Sequence, residues 1–204
     1  MKIGPKYKIA RRLKAPVFEK TQTQKYVLSE ARKGKSEKRG KRGGVSDYGR
    51  QLIEKQKARY TYLLTERQFS NYVAAAMKRK GIKNADALFE NLERRLDNAV
   101  FKLGIAGSRP MARQLVSHGH IFVNGKRVTR PSYQMELKDK IKIRELSAGK
   151  GMFVNLDERL KNLTSPSWIK FDVTKKEAEV VGMPMREGSD MLFDLNSVLE
   201  FYSR

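Results

Sequence analysis

From Ser46 to Ser117 the apolar positions recur every three to four residues, the spacing of amphipathic helices. Ser46 reads as an N-cap, with a helix running to about Arg59. Thr65-Glu-Arg-Gln68 fits a capping box, and Phe69, Tyr72, Val73, Ala76 and Met77 then form one apolar stripe, closed near Gly81. A third helix is predicted over 86–103. Leu88, Phe89, Leu92, Leu96, Ala99, Val100 and Leu103 fall on its core side, and Arg94, Arg95, Asn98 and Lys102 on the opposite one. Glu90, Glu93 and Asp97 share a separate flank, and Gly104 ends the helix. Ser108 can cap a fourth helix over 109–117. Met111, Ala112, Leu115 and Val116 make its apolar side, Arg109, Arg113 and Ser117 its polar side, and Gly119 stops it.

The period then changes from helical to alternating. Ile121-Phe-Val, Asn124-Gly125 and Lys126-Arg-Val128 predict a two-residue hairpin with a type I′ turn. Pairing about that turn puts Phe122 and Arg127 on one face and Ile121, Val123, Lys126 and Val128 on the other. Lys140 to Arg144 alternates basic and apolar, as a further strand would. Downstream, 156–163 reads as helical, Trp168–Val173 and Glu177–Val181 as strands, and Asp194–Tyr202 as a terminal helix. Residues 1–45 show no sustained period. The class expected is α+β: a mainly helical first domain with an inserted module of two helices and a β-hairpin. The domains expected are a basic extension (1–45), a helical domain (46–93, completed by about 174–204), the module (94–157), and C-terminal strands with a terminal helix (158–204).

Charge turns this architecture towards a partner. The chain has 44 Lys and Arg against 22 Asp and Glu, a net +22, which calls for a polyanion. Residues 1–45 hold 15 basic and 3 acidic side chains and residues 94–128 hold 7 and 1, whereas 129–204 hold 13 and 12. Two segments are therefore basic and the rest is near balance, a separation that a merely solvated surface does not need. No apolar window approaches a membrane span, and the N-terminus lacks the apolar core of a secretory signal. A cytoplasmic setting is expected, with an organellar matrix as the alternative. The run RKGKSEKRGKRGG (32–44) cannot bury enough apolar area to order itself alone in water; phosphate contacts could order it, or it serves as a solubilising tail.

Candidate chemistry is sparse. With no cysteine, disulfides, thiol catalysis and thiolate zinc sites are excluded. His118 and His120 lack further ligands nearby, which favours a structural or RNA-contacting role over metal binding. Gly34-Lys35-Ser36 resembles the end of a phosphate-binding loop, but Ser29 stands where that motif needs glycine. Asp157-Glu158 suits a helix start better than acid–base work, and no Ser, His and Asp show nucleophile spacing. No cofactor, metal, membrane or small-molecule substrate is expected, and the chain reads as non-enzymatic. Trp168, Tyr72, Phe89 and Phe122 could stack on bases, although core packing is the favoured reading. The unit from Arg94 to Val128 is the best signal, since cations on stiff elements can meet the phosphates of a folded RNA. An ordinary helix pair with a solvated charged face is the bland alternative.

The stretch LERRLDNAVFKLGIAGSRPMARQLVSHGHIFVNGKRV (92–128) resembles the RNA-binding module of the bacterial-type small-subunit ribosomal protein four family. SDYGRQLIEKQKARYTYLLTERQF (46–69), PSWIKFDV (166–173) and LEFYSR (199–204) are similar to the rest of that family. The resemblance implies direct, early binding of small-subunit ribosomal RNA near a helix junction, nucleating assembly of the subunit body. It also implies an interface with ribosomal protein five that affects decoding accuracy, and a basic N-terminal part near the path by which mRNA enters. Some relatives repress translation of their own mRNA, and the terminal helix would pack back on the first helical domain. Carried over by position, the RNA-facing residues are Arg94, Arg95, Lys102, Arg109, Arg113, Gln114, His118, Lys126 and Arg127, with Lys38, Arg39, Lys41 and Arg42 in the basic loop. Many relatives bind zinc through four N-terminal cysteines; this chain resembles the zinc-free version. The same module is attached to pseudouridine synthases and some tRNA synthetases, but residues 129–204 show no catalytic pattern. A non-ribosomal RNA-binding or stress factor with this module is the other alternative.

Overall fold

Ser46 and Thr65 start two long helices as the sequence predicts. Ser46 Oγ accepts from the Gly49 amide at 3.2 Å, opening α3 (Asp47–Thr61). Thr65 Oγ1 accepts from the Gln68 amide while Gln68 Oε1 accepts from the Thr65 amide, each at 3.3 Å, and this box opens α4 (Glu66–Lys78). The structure is a computed structural model describing residues 3–34, 46–149, 151–153, 156, 165–172, 175–186 and 191–203. It divides into two units, Met1–Lys80 with Glu187–Arg204, and Gly81–Arg186. The chain is α+β.

In the first unit the segment before α3 corrects the expectation of no regular structure. It forms α1 (Lys6–Leu13), a 3₁₀ turn (Glu19–Thr21) and α2 (Gln24–Gly34). Its apolar residues are too sparse to show a period alone. They are completed from elsewhere: Leu13, Ala15, Val17 and Phe18 bury with Leu63, and Ile53 and Tyr60 of α3 pack against them. The helix α9 (Leu195–Ser203) lies on α3 and α4, with Phe69 and Tyr202 rings 6.1 Å apart and Gln51 donating to Glu200 at 3.0 Å.

The second unit begins with a second correction. The helix predicted over 86–103 is two helices, α5 (Asn84–Glu93) and α6 (Leu96–Lys102). Arg95 is extended, at φ −64° and ψ 133°. The reason is distant in sequence: the backbone of 94–97 bonds to 131–135. The Met135 amide donates to the Arg94 carbonyl at 2.8 Å, and the Leu96 amide to the Tyr133 carbonyl at 2.9 Å. Leu92 and Leu96 stay buried on both sides of the break, so the apolar period survives it. Next come α7 (Arg109–Ser117), capped by Ser108, and β1 (Ile121–Val123), β2 (Lys126–Arg127) and β3 (Lys140–Ile143). After the short α8 (Glu145–Ala148), β4 (Ile169–Asp172) and β5 (Glu177–Val180) complete one antiparallel sheet, ordered β2-β1-β3-β5-β4. Its inner face joins Ile121, Val123, Ile141, Ala178 and Ile169 to Leu96, Val100, Leu115 and Trp168 in one core. The helix expected over 156–163 and the pair Asp157-Glu158 lie outside the described residues, Leu156 apart.

Candidate nucleic-acid interface

The hairpin turn is built as its two residues dictate. Asn124 and Gly125 have φ 51° and 75°, the positive values a type I′ turn needs. Asn124 is fixed twice more: its Nδ2 donates to Asp139 at 2.7 Å, and its Oδ1 accepts from the Lys140 amide at 2.9 Å. The register pairs Phe122 with Arg127 and Val123 with Lys126, leaving Lys126 and Arg127 exposed. Arg127 turns back to donate to the His118 carbonyl at 3.2 Å, tying the hairpin to the end of α7. Gly119, at φ 74°, makes room: a Cβ there would collide with the Arg127 guanidinium.

On α7, Gln114 and His118 are exposed and line a small pocket of about 140 Å³ with Met111, Leu115 and His120. The His118 and His120 rings stack at 6.2 Å, and His120, buried, lies 2.9 Å through Nδ1 from the Ser147 hydroxyl. Arg109 and Arg113 are half-buried. Arg109 lies over the Phe101 ring at 4.4 Å and donates through Nε to Asn98 at 3.1 Å. Arg113 donates through Nε and Nη2 to Asp97 Oδ2 at 2.9 and 2.8 Å.

The face expected on the third helix is rearranged by the break at 94–95. Arg95 is not on the surface: it is 2% exposed, and its guanidinium donates to both carboxylate oxygens of Asp97, at 3.0 and 2.7 Å. Asn98 is also buried, its amide donating to the Glu93 carboxylate at 3.1 Å. Arg94 is half-buried, donating to the Met135 carbonyl at 2.7 Å and to Glu90 at 3.0 Å. Lys102 reaches Glu93 at 2.6 Å. The acidic flank read from the sequence is thus an interior one. Glu90, Glu93 and Asp97 are all buried, each beside a cation, as buried charges must be. Sequence reasoning missed these acids as organisers; only Glu90 and Arg94 carried a signal, their i, i+4 spacing, since Asp97 reaches Arg113 across 16 residues.

Arg109, Arg113 and Gln114 are on α7 and His118 at its end, Lys126 and Arg127 are on the hairpin tied to that end, and Lys102 closes α6. Lys38, Arg39, Lys41 and Arg42 lie outside the described residues. Trp168 is in the core. Phe122 is half-buried on the outer sheet face, between Arg127 and Lys142 in register.

Known proteins match this chain over both units. The family described as Ribosomal protein S4/S9 N-terminal domain matches residues 1–96, and the S4 domain matches residues 94–141. The Small ribosomal subunit protein uS4 of Roseiflexus castenholzii is 42% identical over 99% of this chain and 98% of its own length. That of Ligilactobacillus salivarius is 42% identical over 98% of each. That of Herpetosiphon aurantiacus is 45% identical over 80% of this chain and 78% of its own. Full-length identity at this level, with both matching domains in order, makes this chain a member of the bacterial-type small ribosomal subunit protein uS4 family.

Proposed function

We propose that this chain is a structural constituent of the small ribosomal subunit that binds small-subunit ribosomal RNA directly through α7 and the β1–β2 hairpin. The observation that carries the reading is the Arg127–His118 bond. It ties Arg127 of the hairpin to the backbone at the C-terminal end of α7, so that helix and hairpin offer phosphates one scaffold. Folded RNA is read largely through shape, phosphate and 2′-hydroxyl contacts, and this set of groups suits them. Arg95 has no place in the contact surface; its role is to hold α6. Lys38, Arg39, Lys41 and Arg42 add a second basic region, consistent with the 15 basic residues of 1–45.

The finer reading follows family membership. Early binding would nucleate assembly of the subunit body, and a contact with ribosomal protein five would contribute to decoding accuracy. The basic N-terminal segment would lie near the path by which mRNA enters. The setting is the ribosome. Chemical footprinting of small-subunit ribosomal RNA with and without the protein tests the central claim. Protection of a junction of several RNA helices, weakened by Arg127→Ala, is expected; an unchanged footprint with the wild-type protein overturns it. Sucrose-gradient fractionation separates it from a stress factor, which would not be stoichiometric in every small subunit.

A further inference from the structure

The geometry points to Asp97 as a positioning residue for RNA binding: a buried carboxylate that sets the Arg113 guanidinium before any phosphate arrives. This rests on the reading of α7 as an RNA-contacting helix. Asp97 is 4% exposed. One of its oxygens accepts from Arg95 Nη2 at 2.7 Å and from Arg113 Nε and Nη2 at 2.9 and 2.8 Å; the other accepts from Arg95 Nε at 3.0 Å. Neutralising buried Arg95 needs only one carboxylate facing it. The same carboxylate instead also reaches 16 residues along the chain to a second arginine.

Two guanidiniums share the Asp97 carboxylate. The two arginines differ in exposure: the Arg95 side chain is 3% exposed and that of Arg113 28%. The more exposed guanidinium, that of Arg113, is thus held from behind by two hydrogen bonds. A long side chain so held has already lost most of its rotamer freedom, which it would otherwise lose on binding. The lattice continues alongside: Glu93 holds Lys102 and Asn98, and Asn98 holds Arg109. Three cations of the proposed surface thus stand on a buried layer of acid and amide groups.

The consequence runs against simple charge counting. Asp97→Asn makes the protein more positive, which by itself should tighten its hold on a polyanion. If Asp97 positions Arg113, the affinity falls instead. The experiment is filter binding of the full chain to an in vitro transcript of bacterial small-subunit ribosomal RNA over a salt series. Arg113→Ala should weaken binding and flatten the log–log salt slope by about 0.7 to 0.9, the loss of one phosphate contact. Arg113→Lys keeps the charge but not the fork, and Asp97→Asn removes its support. Each should weaken binding roughly two- to tenfold, the range for one newly mobile side chain, with the slope unchanged. Asp97→Asn should add nothing in the Arg113→Ala background.

Wild-type or tighter binding by Arg113→Lys or Asp97→Asn, or additive losses in the double variant, overturns the positioning role and leaves the RNA reading standing. No effect of Arg113→Ala overturns both at this helix. If Asp97→Asn fails to fold because Arg95 is stranded, Arg113→Lys, at a half-buried site, decides alone.

Discussion

Arg95 and Lys126 carry the same charge to opposite ends. Arg95 is interior, and removing it leaves buried Asp97 with one fewer counter-charge. Arg95→Ala should destabilise the second unit by about 3–5 kcal/mol, the usual effect of breaking a buried pair from one side. The sole tryptophan, Trp168, sits in that core, so its emission during denaturant unfolding reports the loss. Lys126→Ala, at an exposed edge, should shift stability by less than about 0.5 kcal/mol while weakening RNA binding. Composition counted both as surface cations, because nothing local shows that residues 131–135 will pull the chain out of its helix at Arg95. Gly119 is the converse, legible from its position after a helix. Its φ is positive and Arg127 fills the space a Cβ would need. Gly119→Ala should destabilise by about 1–2 kcal/mol and displace Arg127, which the affinity for RNA would register.

Elements whose cause is local were read correctly from the sequence. Ser46, Thr65 and Ser108 cap the helices they precede, and Asn124-Gly125 turns between strand pairs only three to five residues apart. Elements whose cause is distant were not: α1 depends on α3 for its core, and the α5–α6 break depends on a returning segment. The seat of α9 is of the second kind. Lys55 donates to Glu66 at 2.8 Å and lies 4.4 Å from the Phe201 ring, while the Tyr202 hydroxyl donates to Glu66 at 2.6 Å. Burial pushes the Glu66 carboxyl up, but the hydrogen bonds from Lys55 and Tyr202 and the charges of Lys55 and Arg59 more than offset this and hold it below the ordinary value. A carboxylate so lowered stabilises the fold above about 4.5 and loses that contribution as pH falls through its own lower value. Glu66→Gln should therefore flatten the acid limb of stability, followed by helical circular dichroism against denaturant below that pH. Leu195→Ala, at a position 1% exposed, should cost about 2–5 kcal/mol by the same measurement.

For the molecule as a whole the net +22 dominates. Affinity for small-subunit ribosomal RNA should fall steeply with salt, with a log–log slope of about 0.7 to 0.9 per neutralised phosphate; a flat response would contradict the electrostatic account. The total charge and its concentration in two segments were plain in the sequence. Which cations are held by buried acids was not, since periodicity placed Glu90, Glu93 and Asp97 on a separate flank of one helix and the fold placed them inside. The sheet has two margins among the described residues. β2 is two residues long, both cationic, and β4 carries Lys170 and Asp172 on its outward face. Short or charged rims resist pairing with a neighbouring copy. A newly made chain is thereby kept from pairing edge to edge with its neighbours, so Lys126 and Arg127 guard that margin besides the RNA contact proposed for them.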